Sequence, residues 1–540
     1  MGALTLKTFP FELRGWDIEK FESIDPTDGF GTSTRVYTNK QQIIQIEPDH
    51  AETTSNAWLS DKSRQFFDGM FNPWNNKNNC KKIFILKKKT WQKNMQMLLK
   101  TLHLFEYCTA KNKTTYFLTI VFENLGIETL SLLKIIEHKY SFVKLRRAEN
   151  LNLSNDLESH FQLNTATDPN KLKSSTLCLL VANNSRYEGY QLNLKLRQRF
   201  LKGNFKCLKL SSHIDLTFPS FVIGTNFKIL KEIAEGNSFT CQDLKTATNP
   251  LIIFGNEFYK RIDSKNVVNM YKHLNIFHQT WNGLNTLNST LAETGLQNIA
   301  TFLPLKKKDF NESSSFYFIN VTAENIPNLA KITETKLLNY VTVKKNLQLD
   351  NNKLFFDQNS SIKNNQTFIQ NLLQLKTNRN YIFLPVKMFY ESKETFLNTE
   401  GFFKVTNKLI TKRKTRENWK LLRSLHNHFK SHYISLNFKN KNILSFNLVK
   451  QINFSNFIYF HFCAVRKLDS FTLFSNIQNQ SFFVYQQNFS FKQKPCKIVS
   501  SKSKYWLDDF FTGGKDEYSK NSLILSNCSK IFRTQTTNFF

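Results

Sequence analysis

His428 and His432 stand four residues apart with His426 nearby, a spacing that lets two imidazoles face one metal ion from the same side of a helix. Phe429 occupies the place where a zinc-protease helix carries its glutamate, and no third or fourth ligand accompanies the pair. Capping or solvated histidines are therefore expected. Gly29-Phe30-Gly31-Thr32-Ser33-Thr34 looks like the start of a dinucleotide loop, whose glycines admit a pyrophosphate to a helix N-terminus. It lacks the third glycine and opens no helical pattern, which predicts a turn. Gly513-Gly514-Lys515 lacks the upstream glycine of a phosphate loop and reads the same way. His461 and Cys463 alternate within an apolar run, and the adjacent Asp508 and Asp509 need not converge on one substrate. Neither a nucleophile elbow nor a Cys–His pairing pattern is found. The motifs predict no catalytic, cofactor-binding or metal-ligating side chain.

Eight cysteines are spread along the chain: Cys80, Cys108, Cys178, Cys207, Cys241, Cys463, Cys496 and Cys528. No two are close enough to form half of a zinc or iron–sulfur site. In Leu177-Cys178-Leu179-Leu180-Val181 the thiol reads as a small hydrophobe in a strand. Free thiols in a reducing compartment are the expectation.

The 540 residues hold 52 Phe but only 16 Gly and 11 Pro, below the roughly 7% Gly and 5% Pro of average usage. Phe, Lys, Asn and Ile have AT-rich codons, so the bias points to an organelle genome. The same bias supplies much of the +32 net charge. Its basic runs, such as Lys87-Lys88-Lys89, Lys306-Lys307-Lys308 and Lys412-Arg413-Lys414, are short and not interleaved with aromatics, which argues against nucleic acid as a partner. Apolar runs such as Tyr116–Phe122 and Phe457–Val465 fall far short of the ~18 residues of a membrane span. The first residues resemble neither an Arg/Ser-rich leader nor a signal core. These features lead us to expect a soluble protein, made where it works, with no direct membrane span.

The elements that would carry any site follow from periodicity. Arg35-Val36-Tyr37 and Ile43-Ile44-Gln45-Ile46 flank polar Thr38-Asn39-Lys40 as a hairpin. Trp91, Met95, Leu98, Leu99 and Leu102 recur at helical spacing, then Tyr116–Phe122 reads as a buried strand, and Gly126 opens a helix with Leu130, Leu133 and Ile136. Strand Leu177–Ala182, helix Tyr190–Leu201, strand Phe205–Leu210, helix Phe227–Ala234 and strand Leu251–Gly255 follow, with Phe316–Val321 as a further strand. Strands alternating with helices predict parallel βαβ units. Residues 150–174 and 348–380 read as irregular, and no clear period exists beyond about 433. The expected fold is α/β: a small, mainly-β N-terminal subdomain at 9–70, an α/β body of interleaved parallel-sheet layers at 71–430, and a divergent region at 431–540.

Several strings, taken together, have a family resemblance. Arg14-Gly15-Trp16-Asp17-Ile18-Glu19, Glu22-Ser23-Ile24-Asp25 with Asp28, Trp58-Leu59-Ser60-Asp61-Lys62-Ser63-Arg64, and Asp68-Gly69 come first. Then come Leu179 through Glu188 with Asn193 and Arg197, and Ile214-Asp215-Leu216-Thr217. The last are Leu384-Pro385, Tyr390 through Thr395, Asn398-Thr399-Glu400-Gly401 and Arg416 through Lys420. In this order the strings resemble the molybdopterin-oxidoreductase-like part of the largest iron–sulfur subunit of respiratory complex I, over roughly residues 12–425.

The resemblance implies a structural subunit of the NADH-oxidising arm of mitochondrial complex I, on the matrix side of the inner membrane. There, electrons pass from NADH through FMN and iron–sulfur clusters to ubiquinone. The family's N-terminal ferredoxin-like part has no counterpart, since the Arg14–Glu19 string stands near the start. A separate cluster-bearing ferredoxin-like fragment and flavoprotein neighbours are thus the expected partners. Residues 12–70 contain no cysteine, so no cofactor is expected in this chain itself. Ala182 and Ser185 replace a customary Gly and Pro, and Phe402 a common Arg. The side chains expected to matter are packing residues, Trp16, Trp58, Trp91 and Trp419. A relic molybdopterin oxidoreductase and a basic mitochondrial RNA-binding or ribosomal component remain as alternatives.

Overall fold

The computed structural model describes residues 13–71, 118–321 and 382–427 with short interruptions, residues 340–342, and parts of 499–537. Residues 1–423 together with 498–540 form one compact unit, and residues 424–497 a second. The expected helix from Trp91, His428, His432, His461, Asp508, Asp509, Gly513–Lys515 and four of the cysteines (Cys80, Cys108, Cys463, Cys496) lie outside the described residues.

Near the N-terminus, β1 (Glu19–Ile24), β2 (Ser33–Asn39) and β3 (Gln42–Pro48) form an antiparallel sheet, with Lys40 in the left-handed region at the tight β2–β3 turn. Alternate residues of β2 are buried, so Val36 meets Ile24 and Ile46 on one face. Phe66, Met70 and Tyr390 cover that face, and so do Tyr518 and Leu525 from the other end of the chain. The C-terminal helix Leu523–Thr537 is anchored there: Asp68 Oδ2 accepts from Leu523 N (3.0 Å) and Ile524 N (3.3 Å), acting as its N-cap from 455 residues away.

Two parallel sheets make up the body. One has strand order β12-β9-β6-β7-β8, with β6 at Leu177–Val181, β7 at Lys206–Leu210, β8 at Phe221–Gly224, β9 at Leu251–Gly255 and β12 at Leu284–Leu287. A small hairpin, β10 (Phe277–His278) with β11 (Trp281–Asn282), precedes β12. β6 and β9 are buried throughout, as their unbroken apolar runs require for a sheet covered on both faces. Leu179, Val181, Ile252 and Phe254 meet helices Lys228–Ala234 and Ser264–Lys272 on one side. Cys178, Leu180, Cys207 and Ile253 meet Leu192 and Leu196 of helix Tyr190–Leu201 on the other.

The second sheet has the order β15-β14-β13-β4-β5, from β4 (Leu118–Phe122), β5 (Val143–Arg147), β13 (Ser315–Ile319), β14 (Tyr340–Thr342) and β15 (Ile382–Phe383). Helix Ile127–Lys139 joins β4 to β5 after Gly126, where the sequence placed its start. A last hairpin pairs β16 (Thr395–Leu397) with β17 (Phe403–Val405). The mixed α/β architecture follows the sequence-based expectation, with local differences. Pro169–Ser174 is helical where an irregular segment was expected, its Leu172 buried against the sheet. Trp16 and Trp58 are surface residues, 81% and 63% exposed, rather than packing anchors. Trp419 is half-buried under the Lys420 ammonium, 5.0 Å from its ring, and Trp91 lies outside the described residues.

Asp309 ties the edge of the second sheet to the segment after Phe302. Its carboxylate accepts from Arg146 Nε (2.8 Å), Arg146 NH2 (3.1 Å) and the backbone N–H of Lys306 (2.8 Å), and pairs with Lys144 Nζ at 2.6 Å. Burial alone would raise its pKa, but the Arg146 and Lys144 bonds outweigh burial and hold it below the ordinary value. A depressed carboxyl contributes stability that is present above its unfolded pKa of about 3.9 and is lost as pH falls through the folded value. Asp309→Ala should cost about 1–3 kcal/mol at neutral pH by leaving two half-buried cations without their carboxylate. Chemical denaturation at pH 7 and pH 3.5 should show that deficit shrinking in acid.

Candidate functional site

In the first parallel sheet the chain steps from β6 outward to β7 and β8, then returns across β6 to β9 and β12. Strand order reverses between β6 and β9, and in open α/β sheets the carboxyl ends at such a reversal form the ligand crevice. Asn183 and Asn184 follow β6, Gly255 ends β9 with Asn256 after it, and Asn288 and Ser289 follow β12. All four asparagines are buried.

These side chains bind the loops to one another. Asn183 Nδ2 donates to Ile253 O (3.1 Å), and Asn256 Nδ2 donates to Ser289 Oγ and Glu293 Oε2, both at 2.6 Å. Asn288 Nδ2 donates to Thr294 Oγ1 (2.7 Å), and Glu293, itself buried, lies 3.8 Å from the Arg147 guanidinium. Ser185 Oγ donates to Asn193 Oδ1 (3.1 Å), whose Nδ2 donates to Leu216 O (2.9 Å). Asn183 Oδ1, both amide atoms of Asn184, Asn256 Oδ1 and Asn288 Oδ1 have no protein partner among the described residues. Such a carboxamide cluster is suited to ordered water.

The β1–β2 connection packs against the β12 side of this sheet end. Phe30 is only 3% exposed and packs in one cluster with Leu192, Leu196 and Leu287. Gly29 O accepts from Thr399 N and Thr399 Oγ1, both at 2.8 Å, and Phe30 O accepts from Asn398 Nδ2 at 3.0 Å. A Cβ on Gly29 would lie 2.2 Å from Asn288 O, so only glycine allows this approach. The turn expected at Gly29–Thr34 is thus the element keyed into the sheet edge.

A buried charge centre stands behind the loop. Asp28 Oδ1 accepts from Phe30 N (3.0 Å) and Gly31 N (3.3 Å), and Asp25 Oδ1 accepts from Thr27 N (2.9 Å). Lys62 is buried close by, and Tyr190 OH donates to Thr32 Oγ1 at 3.0 Å. Burial first, then the Asp25 charge, pushes the Asp28 carboxyl well above its usual range, against the pull of the Phe30 and Gly31 amides and Lys62. Tyr190 is likewise raised, by burial and then by the two aspartates. The strings that carry the resemblance include Asp25, Asp28 and Lys62, but no spacing rule marks a lysine 34 residues from an aspartate as its neighbour.

Residues 86–428, well over half the chain, match the family described as molybdopterin oxidoreductase. The chain belongs to that family. Residues 18–68 match the 4Fe-4S domain described as NADH-ubiquinone oxidoreductase NDSU1/NuoG-like. The NADH-ubiquinone oxidoreductase 75 kDa subunit of Reclinomonas americana is 26% identical over 444 residues, covering 79% of this chain and 59% of the relative. The potato (Solanum tuberosum) mitochondrial NADH dehydrogenase [ubiquinone] iron-sulfur protein 1 is 24% identical, covering 79% of this chain and 53% of its own length. The mitochondrial NADH-ubiquinone oxidoreductase 78 kDa subunit of Neurospora crassa is 26% identical over 56% of this chain and 41% of that protein. The chain spans somewhat more than half the length of the first two relatives.

The match at 18–68 corrects the expectation that this chain has no cofactor of its own. A 4Fe-4S domain, the kind that carries an iron–sulfur cofactor, is present in this chain. The donor set there is unusual: residues 18–68 include carboxylates, hydroxyls and Lys62 but no cysteine, whereas such clusters are held by thiolates. These residues do not fit thiolate ligation from within the domain. A Cβ on Gly255 would lie 2.4 Å from Ala182 O, so this glycine serves a close contact between the β6 and β9 turns.

Ala182, at the head of the β6 turn, is held at φ 50°, in the left-handed region that disfavours a Cβ by about 1–2 kcal/mol. Ala182→Gly should therefore stabilise the chain by up to about 1 kcal/mol after the entropic cost of glycine, read as a higher urea midpoint. Asp28→Asn keeps the acceptor for Phe30 and Gly31 but does not ionise. A raised pKa means that the parent loses stability as pH rises through the folded value. The variant should thus gain on the parent between pH 5 and pH 8 in thermal melts. Asp28→Ala, which frees two amides, should fall by about 1–3 kcal/mol at both.

Proposed function

We propose that this chain is a structural subunit of the NADH-oxidising peripheral arm of mitochondrial complex I. In this role it supports electron transfer from NADH through FMN and iron–sulfur clusters to ubiquinone. The supporting observation is the joint match of residues 18–68 and 86–428, in that order, with relatives named as an NADH-ubiquinone oxidoreductase subunit and an NADH dehydrogenase iron-sulfur protein aligned over 79% of the chain. A further support is the Gly29–Phe30–Gly31 loop, which ties residues 18–68 to the body through Asn288, Asn398 and Thr399. No side chain is assigned a catalytic role.

On this reading the partners are a separate ferredoxin-like fragment that brings further clusters, the flavoprotein, and other peripheral-arm subunits. The location is the matrix face of the inner membrane, and no described helix is long and apolar enough to cross a membrane. Domain boundaries near residues 70 and 430 belong to the same proposal.

The test is a native gel of solubilised mitochondrial membranes, stained for NADH dehydrogenase activity, with mass spectrometry of each band. The chain should appear in the active high-mass band together with a smaller cysteine-rich protein. Its recovery only with ribosomal proteins, or only as a free chain, would overturn the proposal.

A further inference from the structure

Two cysteines lie side by side in the first parallel sheet. Cys178 of β6 and Cys207 of β7 are direct partners in the parallel register, so their Cβ atoms leave the sheet on one face. Parallel neighbours run about 4.8 Å apart, inside the Cα spacing of roughly 4.4–6.8 Å that a disulfide spans. Both are free thiols and fully buried, in one cluster with Leu180, Leu192 and Leu196. The neighbouring Cys207 sulfur, with burial, raises the Cys178 thiol. Lys209, two residues beyond Cys207 on β7, shares its strand face.

The cover over Cys207 is thin on one side. β8 is a four-residue edge strand with Phe221 60% and Val222 40% exposed. Its pairing to β7 shifts register between Lys209 and Leu210. The segment leading into it supplies Leu216 and Phe218 to the cluster around Cys207. Short, exposed, irregularly paired edges open locally far more readily than the sheet as a whole unfolds.

We propose that Cys178 and Cys207 are a redox-modification site, a cross-strand dithiol that closes to an intramolecular disulfide by exchange with a low-molecular-weight disulfide. Opening of the β8 edge exposes Cys207, which loses its proton to solvent and attacks one sulfur of the oxidant. A mixed disulfide forms and one thiolate leaves, taking up a proton. Cys178, deprotonated in turn, attacks the Cys207 sulfur and expels the second thiol. In sum, two protein thiols and one disulfide become one protein disulfide and two small thiols, and the protein gives up two electrons and two protons. The bond joins β6 to β7 across the residues 179–206, and so clamps the strand that leads into the Ala182–Asn184 turn.

The test uses the reduced full-length chain with oxidised glutathione at pH 8, acid quenching, alkylation and non-reducing peptide mapping. The expected product is a linked pair of peptides containing Cys178 and Cys207, two hydrogens lighter than the reduced pair. It should be reversed by dithiothreitol and should raise the melting midpoint by about 2 °C. Cys178→Ser should leave Cys207 trapped as the glutathione adduct. The proposal is overturned if Cys178 and Cys207 both stay alkylatable after denaturation while half-buried Cys241 or Cys528 carries glutathione. Two buried small hydrophobes would behave in that way. The wild-type map decides the matter even if the serine variant does not fold.

Discussion

The Gly29–Phe30–Gly31 loop joins parts of the chain that are hundreds of residues apart, and much of the architecture depends on it. Its carbonyls are held by Asn398 and Thr399, its phenyl ring by Leu192, Leu196 and Leu287, and its first glycine by close approach to Asn288. A buried aromatic of this size contributes more than any single hydrogen bond around it. The hydrogen bonds contribute direction instead, since they fix which residues meet the sheet edge. With the loop seated, Phe30 carries the β1–β2 connection into the apolar cluster on one face of the first parallel sheet.

Seating that loop requires polar groups to be buried beside it, and the chain satisfies most of them locally. Asp28 caps its own turn, Asp25 caps the one before it, and Lys62 supplies the compensating charge. The arrangement lies within the segment that matches a 4Fe-4S domain, and carboxylates, hydroxyls and an ammonium are its polar groups. The molybdopterin oxidoreductase fold thus persists here with a crevice whose glycines serve contacts within the protein. Fold and site chemistry have separated, as they do in widely shared architectures.

Much of the fold was legible in the order of residues. Helix Tyr190–Leu201 and strand Leu251–Gly255 have the expected bounds, and Gly126 caps the helix it was expected to open. Those elements have strong periods or uninterrupted apolar runs, and each ends at a glycine or a polar cluster. Strand β8, with Phe221 and Val222 exposed, and strand β5, with Lys144, Arg146 and Arg147 among its five residues, carry no such signal. β5 is a strand because Asp309 and Glu293 neutralise its cations from distant segments. Trp16 and Trp58 misled for the converse reason: a large aromatic predicts burial on average, yet its exposure depends on which surfaces meet it.

By itself, the amino-acid sequence determined the period of each element, the parallel character of the βαβ units and the family to which they belong. These depend on neighbours within a few positions, or on strings that keep their order along the chain. Only the tertiary structure decided that an ordinary-looking turn is keyed against the end of β12, and that Asp25 and Asp28 share a buried charge centre with Lys62. It alone placed Cys178 against Cys207, 29 positions apart in the sequence. Contacts of that kind depend on strand order and register, which are set by how whole layers bury their apolar faces against one another. No local pattern encodes them.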